Sequence, residues 1–400
     1  MYCVSTHLSV MDYPTEKEGN IESGALLHSL SHIQHGGSRS FLDLRNWRVR
    51  VAMFALIVAI CLVTAVIVLS FTPSMMDDVP TKFRIHIISD DDQASKVDGS
   101  KPHWESHFWT GTLELDEFDS YTFQWDRKAA FSTRTNEADR AMELSELLFY
   151  RGRLLACDDR TGLVYEIKEV DGAPQALTRY VLLEGDGQSS NKGFKCEWAT
   201  IYHGDAIFGS FGKEFADPKT GAFMHSKPMW VKRLEKDTDR ITSIDWEPVY
   251  EKLREKTHTQ FPGYLLHEAV GWSDFHKAWF FVPRRESQSP YSEKKDMSNG
   301  TDLILIADEK FKKIEELRIE SMLIPKRGFS SFKFIPGRPN DIIALRTEED
   351  TDDEGRGRLM SYISILHIDR ARKKISVIMP ESAIEPLPHK FEGIEIEEIL

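Results

Sequence analysis

The stretch LLFYRGRLLACDDRTGLVYEI, residues 147–167, decides the fold. It holds three apolar runs, 147–150, 154–156 and 163–167, separated by turn pairs at Arg151-Gly152 and Thr161-Gly162. Runs this short, spaced for hairpins, read as antiparallel strands. The same grammar recurs outward in both directions, at 82–88, 206–208, 279–282, 303–306, 332–335, 342–345 and 362–368, with turns at His203-Gly204-Asp205 and Pro336-Gly337. Helical periods are few, so 82–400 reads as all-β. That length exceeds one sandwich, leaving two sandwiches or a radial propeller whose blades consume roughly 40 to 60 residues each. Five blades fit.

Composition narrows the function classes. The 400 residues are 41% hydrophobic and 29% charged, an ordinary globular balance. A formal charge of −13 opposes a phosphate-backbone partner, so nucleic-acid binding is not expected. Four Cys with no Cys-x-x-Cys pair exclude a zinc ribbon and a thioredoxin-type site. Neither a Gly-x-x-x-x-Gly-Lys-Ser/Thr phosphate loop nor a His-Glu-x-x-His zinc helix occurs.

One segment departs from the average. Residues 51–71, VAMFALIVAICLVTAVIVLSF, carry no charge over 21 positions, enough to cross a hydrocarbon core about 30 Å thick. A cleavable signal is a poor fit, because fifty residues precede the run. Arg45, Arg48 and Arg50 stand before it and Asp77 and Asp78 after it, which predicts a type II signal anchor with a cytosolic tail, 1–50. The tail has no sustained apolar period and is expected to be mostly disordered; a short stalk, 72–81, leads to a lumenal domain, 82–400. Asn299-Gly300-Thr301 is a glycosylation sequon usable on that side, the mark of a glycoprotein. Cys157 and Cys196 could pair there, but beside strand-like runs they read as core thiols.

Chemistry is sought in polar residues set within apolar runs. Ser145, Glu197, Glu268, Ser330 and Glu392 are such residues, at gaps of 52, 71, 62 and 62, close to one blade period each. If each sits at the same place on the inner strand of its blade, three carboxylates and two Ser oxygens converge on the central channel. An all-oxygen ring suits a hard cation, and its loose geometry suits Ca²⁺ better than Mg²⁺.

Longer segments carry a resemblance. MELSEL at 142–147, DDRTGLVYEI at 158–167, GFKCEW at 193–198, GKEF at 212–215, GYLLHE at 263–268, FFVPRR at 280–285, GFSSFKFIP at 328–336 and FEGIE at 391–395 resemble the calcium-activated nucleotidases, the apyrase family. The likeness covers essentially all of 82–400. It implies a five-bladed propeller that hydrolyses nucleoside di- and, in some members, triphosphates with Ca²⁺ as cofactor, and that can dimerise. It also places Ser145, Glu197, Glu268, Ser330 and Glu392 on the family's metal positions.

From there the remaining roles follow. A carboxylate must take the proton of the attacking water, and the turn Ser89-Asp90-Asp91-Asp92 offers Asp90, with Asp159 as partner or rival. Asp92 and Glu143 stand beside them as substrate contacts. Arg140, Arg160, Lys213, Arg284 and Arg285 lie by the matched motifs as phosphate donors. Trp104 and Tyr264 are candidates for stacking on a base. Phe215, Arg327 and Asp91 depart from the family's usual Trp, His and Leu. The reading is a diphosphatase acting on UDP and GDP, and also on ADP or triphosphates, in the Golgi or endoplasmic reticulum. The alternatives are a cell-surface ectoapyrase and a non-enzymatic Ca²⁺-stabilised propeller.

Overall fold

The computed structural model describes residues 47–71, 80–217, 220–320, 323–351 and 357–399. Most of the tail 1–50 and the stalk 72–81 therefore lies outside the described residues. Two compact units divide between Asp77 and Asp78. The first carries helix α1, Trp47–Phe71, which takes in the whole uncharged run. Its described side chains from Val51 to Leu62 are all exposed. Among the described residues no helix is long and apolar enough to cross a membrane, and the side chains of 63–71 lie outside them.

The second unit holds, among the described residues, one five-stranded and four four-stranded antiparallel sheets, with two short two-stranded ribbons besides. Blade 1 joins the two ends of the unit: its inner strand is the C-terminal Phe391–Glu398, paired with Lys82–Ser89, then His103–Leu115 and Tyr121–Thr133. Blade 2 runs outward as Leu144–Tyr150, Arg153–Asp158, Leu163–Val170 and Ala173–Val181. Blade 3 is Trp198–Tyr202, Asp205–Gly209, Trp230–Leu234 and Ile241–Asp245. Blade 4 is Val270–Ser273, Ala278–Phe281, Leu303–Asp308 and Ile314–Arg318. Blade 5 is Arg327–Ile335, Arg338–Thr351, Gly357–Asp369 and Lys374–Met379. Each inner strand neighbours the next, and that of blade 5 returns to blade 1, so the ring closes. The propeller alternative, not the two sandwiches, is the fold.

Side-chain alternation explains why the strands read as unbroken apolar runs. In Leu303–Asp308, Leu303, Leu305 and Ala307 pack toward blade 3 with Trp198 and Val231, whereas Ile304 and Ile306 pack toward blade 5 with Phe329 and Ile342. Successive residues face opposite sides, and here both sides are buried. Each of the five blade contacts is filled by its own apolar cluster in this way. Burying both faces of the middle strands leaves polar groups room mainly at strand ends and on the axis, with exceptions such as Lys232 inside blade 3.

Two features differ from expectation. Cys157 and Cys196 are a disulfide, with Cα atoms 6.0 Å apart, tying the second strand of blade 2 to the approach of blade 3. Both are buried as a core thiol would be, so burial alone could not reveal the bond. Helix α2, Glu247–Thr257, follows blade 3. It buries Tyr250, Leu253, Arg254 and Thr257, one face at helical spacing. Arg254 reaches from it to Glu214 at 2.6 Å and to the Gly263 carbonyl at 2.6 Å, fixing the loop that holds Lys213 and Phe215.

Candidate active site

The five spaced polar residues do occupy equivalent places. Ser145, Ser330 and Glu392 lie near the start of the inner strands of blades 2, 5 and 1, while Glu197 and Glu268 stand one and two residues before those of blades 3 and 4. Register explains the first three. Leu144 pairs Asp158 but Glu146 pairs Cys157, so Ser145 is the extra residue of a β-bulge. Ser330 is extra between Phe329 and Ser331 in the same sense, and Glu392 between Phe391 and Gly393. A bulge leaves one residue without a ladder partner and re-aims it. An apolar strand can thus present a polar group to the axis without breaking its outer packing.

Glu197, Glu268 and Glu392 line a cavity of about 500 Å³ together with Asp90, Asp92, Arg140, Asp159, Arg284 and others, whereas Ser145 and Ser330 are not in its wall. Its wall carries nine carboxylates, at 90, 92, 159, 197, 268, 293, 296, 349 and 392, against six cations, at 140, 195, 213, 284, 285 and 390. The excess is negative. Arg284, 4% exposed, ties Glu268, Glu392 and Glu349 together, at 2.7 Å to Glu392. Lys390 reaches Asp92 at 2.6 Å, Glu392 at 3.2 Å and Asp90 at 3.3 Å. Lys195 holds Glu197 at 2.5 Å and also contacts Asp159.

Even so, the carboxylates are under-compensated. Burial pushes Asp90 up to about 7, against the pull of Lys390. Burial, with Lys195 opposing and Asp159 and Glu268 adding repulsion, lifts Glu197 to about 8. Glu143, wholly buried under a two-pronged contact from Arg140, is raised to about 10 by burial and by Asp90 and Asp159. Asp92 moves the other way: burial raises it, but Lys390 and Arg140 outweigh that and hold it low. Crowded, desolvated carboxylates favour a bound cation. The donor set fits Ca²⁺: the buried Ser145 Oγ has no hydrogen-bond partner among the described residues, and Ser330 Oγ keeps its lone pairs while donating to the Phe391 carbonyl at 3.1 Å.

The catalytic candidates meet at one wall. Asp90 follows blade 1's second strand, its N–H fixed by the Lys390 carbonyl at 2.9 Å and its Oδ1 by the Asp92 N–H at 2.8 Å. Asp159 is locked by its N–H to the Glu143 carbonyl at 2.9 Å, and its buried Oδ1 has no partner among the described residues. One ligand oxygen each of Asp90, Glu143 and Asp159 lies within 4.8 Å of the others. The Asp158-Asp159 turn divides its labour. Asp158 accepts the N–H groups of Arg160, Thr161 and Met142 and shapes the turn, leaving Asp159 for the cavity.

Among the phosphate donors, Arg140, Lys213, Arg284 and Arg285 line the cavity. Arg285 is 1% exposed, and its Nε and Nη1 lack hydrogen-bond partners among the described residues. Arg160 is not in the wall; it pairs Glu137 at 3.4 Å. The proposed stacking residues are displaced. Trp104 is packed between blades 1 and 2 with Nε1 on the Asp139 carbonyl, and Tyr264 is buried with its hydroxyl on Asp296 at 2.6 Å. The aromatic faces that do line the cavity are Phe211, Phe215 and Tyr291, with Lys213 4.2 Å above the Tyr291 ring. Lys195, Lys390 and Glu349 were missed as site residues. Lys195 and Lys390 each stand two residues before a ring carboxylate, and that Lys-x-Glu repeat was the available signal.

The sequon lies behind this wall, linked through the Tyr264 hydroxyl to Asp296. Asn299 Nδ2 donates to the Tyr264 hydroxyl at 2.9 Å, and Thr301 is 2% exposed.

Residues 91–397 match the profile of the family described as Apyrase. The chain belongs to the apyrase family. An apyrase of Cimex lectularius is 38% identical over 81% of this chain and 85% of its own length. Soluble calcium-activated nucleotidase 1 of Rattus norvegicus is 36% identical, covering 78% and 73%. An apyrase of Caenorhabditis elegans is 34% identical, covering 81% and 87%. As an apyrase, the chain is a nucleotide-hydrolysing enzyme, and its cavity is the place where phosphate donors and buried carboxylates meet.

Proposed function

We propose that this apyrase removes the terminal phosphate of nucleoside diphosphates such as UDP and GDP, and also of ADP and triphosphates, with Ca²⁺ as cofactor. The observation that carries the reading is the meeting of Glu197, Glu268 and Glu392 in a cavity rich in Arg and Lys, with Ser145 and Ser330 bulged at the matching places of their inner strands. The name of the Rattus relative, a calcium-activated nucleotidase, supports the choice of cation. Ca²⁺ held by Ser145, Glu197, Glu268, Ser330 and Glu392 would supply charge neutralisation and Lewis-acid polarisation of the phosphate.

The chain's own residues do the rest. Arg285 and Lys213 hold phosphate oxygens, and Arg140 braces Asp92 at 3.1 Å and Glu143 beneath the turn. Asp90 takes the proton of the attacking water, with Asp159 beside it orienting that water. Lys390 and Lys195, each shared between a catalytic candidate and a ring carboxylate, keep the two sets in register.

The setting we infer is lumenal, with α1 as a type II signal anchor and the enzyme serving glycosylation by clearing the diphosphates that glycosyltransferases release. The uncharged run, its Arg-rich flank and the Cys157–Cys196 disulfide, suited to an oxidising compartment, support this. The test is phosphate release by the full-length chain from UDP, GDP, ADP and ATP, with Ca²⁺, with Mg²⁺ and with chelator, alongside Asp90→Asn and Glu197→Ala. Ca²⁺-specific turnover lost in both variants is expected, with UDP and GDP ahead. An ADP and ATP preference would point to the cell surface. No turnover from a folded, Ca²⁺-stabilised sample would leave a binding propeller.

A further inference from the structure

The Cys157–Cys196 bond is placed where two parts of the site meet. Cys157 stands two residues before Asp159, and Cys196 is the residue before Glu197. Asp159 belongs to the catalytic wall on blade 2 and Glu197 to the candidate ring on blade 3, so one bond joins the two sets. Cys157 also pairs Glu146, the residue after bulged Ser145. Backbone hydrogen bonds carry the constraint forward: the Asp159 N–H donates to the Glu143 carbonyl at 2.9 Å, and the Glu197 N–H to the Gly209 carbonyl at 2.8 Å. With so few residues between sulfur and carboxylate, neither side chain moves far without moving the bond.

The charges at this contact work to separate the two blades. Glu197 is buried and is repelled by Asp159 and by Glu268. Set against that is Lys195, which contacts Asp159 and holds Glu197 at 2.5 Å. Elsewhere around the cavity ion pairs span the blade contacts: Arg140 meets Asp92 at 3.1 Å, and Arg284 reaches from blade 4 to Glu349 of blade 5 and Glu392 of blade 1. Among the described residues only blades 2 and 3 have a covalent tie as well. A lysine is a point charge on a flexible stem, whereas a disulfide fixes its two Cα atoms, here 6.0 Å apart, in every ionic state of the site. Both cysteines are buried, so the bond is a lasting part of the folded chain.

We propose that the Cys157–Cys196 disulfide is a positioning element of the active site, holding Asp159 and Glu197 at their working separation before Ca²⁺ arrives. A ring already closed binds the ion without first drawing two blades together, and that preorganisation appears as affinity. The role rests on the reading of Glu197 as a Ca²⁺ ligand. It is distinct from the general stabilisation that a disulfide across 39 residues gives through the unfolded state.

The test uses the full-length chain, stripped with chelator and titrated calorimetrically with Ca²⁺, beside Cys157→Ala/Cys196→Ala. Ile306→Ala, in the contact of blades 4 and 5, is the control for lost stability. Well below all three melting temperatures, the double variant should bind Ca²⁺ at least about 10-fold more weakly than the wild type, and Ile306→Ala within about 2-fold of it. Equal affinity in the wild type and the folded double variant overturns the proposal and leaves the Ca²⁺ reading intact; a wild type that binds no Ca²⁺ overturns both. An equal loss in Ile306→Ala also overturns it, because affinity would then follow stability rather than this bond. Should the double variant not fold, Cys157→Val/Cys196→Ala refills most of the lost sulfur volume and must show the same weakening; unchanged affinity overturns the proposal equally. Thiol counting on the wild type supplies a check without any variant: Cys157 and Cys196 both reduced at full Ca²⁺ affinity overturn it.

Discussion

Strands Leu303–Asp308 and Leu144–Tyr150 belong to the same ring and are built on opposite principles. LILIAD is apolar on both faces and in regular register with both neighbours. LSELLFY carries a polar residue at its second position, loses register there at Ser145 and regains it from Glu146 onward. The difference teaches where each job is done. Regular two-sided strands hold the blades together, and polar residues at or just before the starts of inner strands, three of them on bulges, supply the candidate ring. Specificity of chemistry therefore costs the fold only one unpaired residue per bulged strand.

The largest way to break this comparison is at the site. Glu197→Ala should lower nucleotide hydrolysis by about 1,000-fold, roughly 4 kcal/mol, while leaving the melting temperature without Ca²⁺ near that of the wild type. Phosphate release and thermal melting on one preparation check both halves. The converse substitution, Ile306→Ala in the regular strand, should cost about 3 kcal/mol of stability with turnover per folded molecule unchanged, read by urea unfolding and by active-site titration. Ser145→Ala removes one oxygen from a bulge and none from the blade contacts. It should raise the Ca²⁺ midpoint of activity about 10-fold, with stability in chelator unaltered.

The smallest effect sharpens the contrast from the other side. Lys232 is a polar residue within a blade strand with no bulge, 1% exposed, its ammonium on the Gly185 carbonyl at 2.5 Å and Ser243 Oγ at 2.8 Å. Burial pulls it down to about 8 from an ordinary value near 10.5. The folded state therefore sheds its proton before the unfolded state does, so stability rises with pH between about 8 and 10.5. Melting curves from pH 8 to 10 should show that rise in the wild type and a flatter line in Lys232→Met. Hydrolysis at pH 7 should not respond, which separates a structural polar residue from a ring residue.

Much of this was legible because both devices write themselves along the strand. Alternation and turn pairs mark the blades, and a Ser or Glu interrupting an apolar run marks an axis position. Glu197 and Glu268 are readable for the same reason, standing just before Trp198 and Val270. The spacing could not register Lys390, whose importance lies in what converges on it: Asp90 and Glu392 are neighbours only after blade 1 pairs the chain's distant ends. Tyr264 misled because its motif places it near the wall, but its hydroxyl is taken by Asp296. The Cys157–Cys196 bond joins two blades and has no local signature.

Blade 1 also sets a timetable. Arg84 meets Glu397 across 313 residues, and the inner strand that carries Glu392 and follows Lys390 is synthesised after the other four inner strands. Such a distant pairing cannot form during translation of the earlier blades. A ribosome that stops short of residue 390 releases a chain with four inner strands, an open ring and an incomplete site. Activity thus certifies that synthesis passed Glu392.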